Sequence, residues 1–201
     1  MARIKAVIFD FGGVLAEEGF REGLTAIAEK NRLNPDDFFR TAEGLIYETG
    51  YVTGHCDEAS FWNSLRAKSG ITGTDKELRG EILKRFRLRP EMMEAAEDLK
   101  SSGLVVAVLS DQTNWLEEIN EETPFYDCFD YIFNSFRTGK SKRDPSLFTD
   151  LSSTLGLLPG EMLFVDDNSE HIKRASGVGL KTIHFRSTED FARKLAHFSI
   201  D

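Results

Sequence analysis

Apolar and polar positions along this chain change rhythm twice. The opening rhythm is an unbroken apolar run, Ala6-Val7-Ile8-Phe9, which follows Ile4 and stops at Asp10, with Gly12 and Gly13 just beyond. Such a run, headed by β-branched residues and too short for a buried helix, predicts a strand covered on both faces, as in a parallel sheet. From Phe20 to Phe86 the apolar spacing becomes three to four, and four amphipathic helices are predicted: Phe20 to Leu33, Pro35 to Tyr47, Ala59 to Leu65, and Thr74 or Asp75 to about Phe86. Pro35-Asp36-Asp37 is a helix start, and the stretch from Gly50 to Gly54 is a break.

From Pro90 the rhythm alternates. A helix to Ser102 closes at Gly103, and Leu104 to Leu109 is a second buried strand ending at Ser110-Asp111. A helix over Asn114 to Glu121 precedes a weaker third strand, Phe129 to Ser135, and a polar loop, Gly139 to Arg143. Asp144-Pro145 opens a helix to about Leu155, and Met162 to Val165 is a fourth strand ending at Asp166-Asp167. A helix over Ser169 to Ala175, a fifth strand over Lys181 to Phe185 and a closing helix over Thr188 to Phe198 complete the pattern.

Strands alternating with helices of about ten residues predict right-handed βαβ units. The expected fold is α/β, a three-layer Rossmann-like parallel sheet of five or more strands with an inserted all-helical cap. Residues 1–15 and 90–201 would form the core, and residues 16–89 the cap. In such a sheet ligands bind beyond the carboxyl ends of the strands. Asp10, Ser110 and the Asp166-Asp167 pair should therefore converge on one rim, with Lys142 on a loop that can reach it. Adjacent acids after a buried strand repel each other unless a cation sits between them.

Composition narrows the picture. A chain of 201 residues, 40% apolar and 29% charged, suits one sizeable core, or one core with a smaller insert. The net charge of −9 opposes an extended nucleic-acid or anionic-membrane surface, although local positive groups suit a small anionic substrate. Cys56 and Cys128 are isolated thiols without metal-ligand spacing, and no leader or membrane-spanning run is evident. A reduced, cytoplasmic protein is expected, a monomer or homodimer. Neither nucleotide-binding glycine fingerprint is present. His171 reads as a surface or capping group, His184 as structural, His55-Cys56 as too few ligands for zinc, and Phe61-Trp62 as helical core.

In order, the Asp10 motif, the helical insert, Ser110 after a strand, Lys142 in Gly-x-x-Lys-x-Asp-Pro, and Asp166-Asp167 with Asn-Ser-Glu-His-Ile-x-x-Ala resemble the haloacid dehalogenase-like superfamily of hydrolases. The likeness spans essentially the whole chain. It implies a phosphatase acting on a small phosphorylated metabolite such as a sugar phosphate, with Asp10 attacking phosphorus to form an aspartyl-phosphate. It implies Mg2+ on Asp10, the Gly12 carbonyl and Asp166 or Asp167. Ser110 and the amides of Phe11, Gly12 and Asp111 would hold phosphoryl oxygens, and Lys142 would neutralise both Asp10 and the transferring group.

The chain departs from the resemblance at two places. Arg143 stands where a proline usually follows the lysine. Gly12 stands where most of these phosphatases have an aspartate that protonates the leaving oxygen and then activates water, a contribution of about 10²–10⁴ in rate. Three outcomes stay open: a substitute acid/base among Glu17, Glu18, Asp111 and His55; a leaving group that needs no proton; or a weakly catalytic phosphate-binding module. Dehalogenation, in which halide leaves without a proton, is the second enzymatic alternative.

Overall fold

A computed structural model describes residues 3–200. Its elements run β1 (Ala6–Phe9), α1 (Gly19–Lys30), α2 (Pro35–Glu48), α3 (Glu58–Ser69), α4 (Asp75–Leu83), α5 (Pro90–Ser101), β2 (Val105–Ser110), α6 (Trp115–Glu122), β3 (Tyr131–Asn134), α7 (Ser135–Thr138), α8 (Ser146–Leu155), β4 (Met162–Asp166), α9 (Ser169–Gly177), β5 (Lys181–His184) and α10 (Thr188–Leu195). The sheet has five strands in the order β3-β2-β1-β4-β5, all parallel. β1 is therefore central. Phe9 sits opposite Val108 on one side and Val165 on the other, which brings Asp10 level with the ends of β2 and β4.

Period-two alternation sends successive side chains to opposite faces. Ala6, Ile8, Ala107, Leu109 and Phe164 pack with Phe148 and Leu151 of α8. Val7, Phe9, Val106, Val108 and Val165 belong to a second cluster with Met92 and Ala96 of α5 and Phe191 of α10. That cluster continues through Phe11, Val14 and Leu15 into Leu24, Leu45 and Phe61 of the helices between β1 and α5. Those helices cap in the ordinary way. Asn34, Asp57 and Thr74 each accept a backbone N–H of their first turn, and Thr74 and Glu77 form a reciprocal capping box.

Several boundaries differ from the sequence expectation, four of them near the site. The third strand starts later and ends at Asn134, because the Asn134 side chain accepts the Phe136 amide and starts the short α7 instead. α4 stops at Leu83 rather than Phe86, since the chain must turn back toward the sheet there. β2 and β4 each run one residue further, so Ser110 and Asp166 are the last residues of their strands. The chain leaves and re-enters the sheet layer as one paired hinge: Glu17 N–H donates to Arg87 O and Arg89 N–H to Leu15 O, at 2.9 and 2.8 Å. Among the described residues no helix is long and apolar enough to cross a membrane.

Candidate active site

The carboxyl edge of the sheet gathers the residues singled out above. Asp10 follows β1, and its amide donates to Val165 O, tying it to β4. Lys142 is 1% exposed, and its Nζ lies 2.7 Å from Asp10 Oδ2 and 2.8 Å from Asp166 Oδ2. Its loop is held in place by Asp111, whose Oδ1 accepts the Lys142 amide at 2.8 Å while Oδ2 accepts the Tyr47 hydroxyl at 2.9 Å. Asp111 thus ties the lysine loop to α2, and Arg143 adds to the tie by stacking 3.4 Å over the Tyr47 ring. The extra charge at Arg143 therefore serves the contact with α2. Ser110 is buried and lines the same cleft. The Phe11 amide donates to Asp10 Oδ1 at 2.7 Å, so in this arrangement it orients the carboxylate instead of facing a phosphoryl oxygen.

Charge in this cluster is unbalanced. Asp10, Asp166 and Asp167 share one ammonium. Burial pushes the Asp10 carboxyl well up, Lys142 pulls it back, and Asp166 and Asp167 push it up again. Asp166 is fully buried, yet Lys142 and His171 overcome that burial and hold its carboxyl below the usual range. Burial would lower the Lys142 ammonium, but the two carboxylates outweigh it and hold it above its ordinary value. Asp167 is raised by its surroundings and by the Asp166 charge. Crowded carboxylates that resist ionisation are the electrostatic signature of a site that gains from a cation.

Asp10, Asp166 and His171 offer ligand atoms within 4.8 Å of one another. The oxygens of Asp166 are already engaged, however: Oδ1 accepts the Asn168 amide at 2.7 Å, and Oδ2 faces Lys142 and His171 Nδ1, the latter at 3.1 Å. Asp167 opens to the cleft beside Asp10 and Gly12. Asp10, the Gly12 carbonyl and Asp167 are thus an oxygen-only candidate set for a hard cation, the two Asp10 oxygens being held meanwhile by the Phe11 amide and Lys142.

Glycine is needed at position 13. Its φ is +81°, and a Cβ there would lie 2.2 Å from Asp167 Oδ2. Gly13→Ala should cost about 1–3 kcal/mol from the left-handed backbone alone and displace Asp167. Urea denaturation and magnesium titration read the two effects, and a variant unchanged in both would show that the turn can relax around a side chain.

The four candidate acid/base groups separate cleanly. Glu17 is turned away: Arg89 hydrogen-bonds it at 3.1 Å and holds its carboxyl below the usual range. His55 is exposed and shares a 2.8 Å hydrogen bond with Thr53 Oγ1, outside the cleft lining. Asp111 is the loop tie described above. Glu18 alone combines a place in the cleft with a carboxyl that burial raises to about 7. His184 proves structural, its Nε2 being 2.9 Å from Asp167 O.

His171, read from sequence as a surface or capping group, lies in the cleft wall against Asp166. The usable signal was its helical position. Asn168 caps α9, so His171 is the third residue of the first turn, where side chains reach back toward the cap and the strand end.

The cleft measures about 540 Å³. Phe20, Phe39, Ile46, Tyr47, Val52 and Phe86 give its lining an apolar and aromatic share, alongside the polar Arg21 and Glu43. Arg21 crosses it, stacked 4.0 Å over the Phe39 ring.

The model of the haloacid dehalogenase-like hydrolases matches residues 4–179. Bifunctional epoxide hydrolase 2 of Sus scrofa is 26% identical over 96% of this chain, which spans only 38% of that protein's length. A haloacid dehalogenase-family enzyme from Bacteroides thetaiotaomicron, solved with magnesium and inorganic phosphate, superposes with a TM-score of 0.75 at 22% identity, covering 95% of this chain and 98% of that one. L-2-haloacid dehalogenase from Xanthobacter autotrophicus superposes with a TM-score of 0.67 at 19% identity, covering 98% of this chain and 84% of that one.

Proposed function

The chain belongs to the haloacid dehalogenase-like hydrolases, and from that premise we propose that it is a magnesium-dependent phosphatase using Asp10 as covalent nucleophile on a small phosphomonoester. The observation that carries this reading is the cluster of Asp10, Asp166 and Asp167 around the buried ammonium of Lys142. Attack on a phosphate dianion needs charge neutralisation at the nucleophile, which this cluster invites. Attack on a carbon–halogen bond needs a free carboxylate, and a divalent cation beside Asp10 would blunt it. The magnesium and phosphate bound by the Bacteroides enzyme of the same fold support the phosphoryl reading.

Asp10, the Gly12 carbonyl and Asp167 would hold the metal, which when bound neutralises charge on the nucleophile and the transferring group. The Phe11 amide and Lys142 fix the Asp10 carboxylate from two sides. Asp10 attacks phosphorus, the bond to the ester oxygen breaks, and the electron pair leaves with that oxygen. Ser110 and Lys142 donate to phosphoryl oxygens as charge spreads over them. Water then attacks the aspartyl-phosphate, releasing inorganic phosphate and restoring Asp10. The helices over residues 16–89 act as a cap that keeps bulk water from this step.

The wall facing the phosphoryl site bears on the alcohol. A sugar presents hydroxyls on every side, each needing a partner when buried. Phe20, Phe39, Ile46 and Phe86 supply none. Arg21 and Glu43 of the same wall do supply polar partners, so a small alcohol with both an apolar face and hydroxyl groups suits this cleft.

The test is phosphate release from a panel of alkyl, aryl, nucleotide and sugar phosphomonoesters, with halide release from 2-haloacids alongside. Turnover that requires magnesium and stops with EDTA is expected. Halide release, or phosphate release that survives chelation, would overturn the reading. Phosphate binding without turnover of any ester would favour the weakly catalytic module that Gly12 suggests.

A further inference from the structure

Resting on the phosphatase reading, we propose that Glu18, at the entry to the helical cap, is the catalytic acid and base of this enzyme, filling the space left by the missing side chain at Gly12. A Cβ built on Gly12 would lie 3.6 Å from Glu18 Oε1 and 3.3 Å from Phe86 Cε1. The Glu18 carboxylate therefore occupies the region that a carboxylate at position 12 would enter, on the cleft side of the turn that carries Asp10.

Three features of the chain hold it there. Glu18 is the N-cap of α1, and its Oε2 accepts the Arg21 amide at 2.7 Å, leaving Oε1 on the Gly12 side. Gly19 lets α1 begin against Phe86, since a Cβ there would lie 2.6 Å from that ring and 2.7 Å from its backbone nitrogen. The paired hinge at Glu17–Arg87 and Leu15–Arg89 fixes the segment from which Glu18 projects.

The proton accounting closes. As the Asp10–phosphorus bond forms and the ester bond breaks, the Glu18 carboxyl gives its proton to the leaving oxygen and becomes a carboxylate. That carboxylate takes a proton from the water that attacks phosphorus. The Asp10–phosphorus bond breaks, and Glu18 is again protonated. Water and ester have become alcohol and inorganic phosphate.

Glu18→Gln keeps an oxygen for the Arg21 amide and removes only the exchangeable proton. With the full chain and magnesium, kcat on an alkyl phosphate should fall by about 10²–10⁴. With p-nitrophenyl phosphate, whose leaving group needs no proton, the variant should release close to one nitrophenolate per enzyme and then slow, because the water step still lacks its base. Gly12→Asp in the Glu18→Gln background should recover part of the alkyl phosphate rate. A Glu18→Gln enzyme with wild-type kcat on the alkyl ester and no burst would overturn this inference alone. Turnover surviving in Asp10→Asn would instead overturn the phosphatase reading beneath it.

Discussion

Lys142→Met should abolish turnover and lower stability by about 3–5 kcal/mol at neutral pH, because it leaves Asp10 and Asp166 buried against each other with no counter-charge. The loss has a pH signature. Without the ammonium, both carboxyls are harder to ionise in the folded state than in the unfolded chain, where they titrate near the ordinary aspartate value of about 3.9. A raised folded value means that the unfolded state sheds protons first as pH rises, so stability falls from about 3.9 up to the raised folded value and stays low above it. Urea denaturation in EDTA should therefore show a larger deficit against wild type at pH 7 than at pH 5. Adding magnesium should recover part of it, since a cation at the cluster replaces some of the lost charge. Equal stability at both pH values would mean that Lys142 is a loop lysine whose place water can fill.

Asp10→Asn is the complementary experiment, and here activity and stability should move in opposite directions. Loss of a covalent nucleophile should lower kcat by about 10⁴–10⁶, since little remains once the attacking group is gone. The fold should be as stable or firmer. Burial and two like charges push the Asp10 carboxyl toward protonation. Asparagine keeps an oxygen for the Phe11 amide and removes one negative charge from the crowd. For a chain of this size each kilocalorie gained raises Tm by about 2–4 °C. Thermal unfolding in EDTA should show an equal or higher midpoint, the mark of a site held under electrostatic tension for function. A lowered midpoint with turnover retained would place Asp10 among structural strand-end caps.

How much of this was legible beforehand varies by residue. β1, β2 and β4 are short apolar runs ended by a polar oxygen, and their central positions follow from burial on both faces. Asp10, Ser110 and Asp166 could be read as one rim because parallel βαβ units put every strand's carboxyl end on the same edge. β3 was less clear. Its residues are half-buried, and Asn134 diverts the chain into α7 through a side-chain hydrogen bond that no periodicity reports.

Glu17 and Glu18 are adjacent acids with similar surroundings in sequence, and the structure sends them opposite ways. Glu17 pairs with Arg89, 72 residues later, while Glu18 caps α1 toward Gly12. Asp111, a plausible acid/base beside Ser110, is instead consumed by Tyr47 and the Lys142 amide. Asp166 and Asp167 divide in the same way, one engaged behind the site and one open to it.

The sequence alone thus determined the sheet, the helical insert and the membership of the rim, because burial patterns and strand ends are local and repeat with fixed periods. Only the tertiary structure decided which partner each carboxylate takes at that rim. Partner choice depends on contacts between residues as distant in sequence as Asp10 and Lys142 and on the backbone space at Gly12 and Gly13, neither of which a linear pattern encodes.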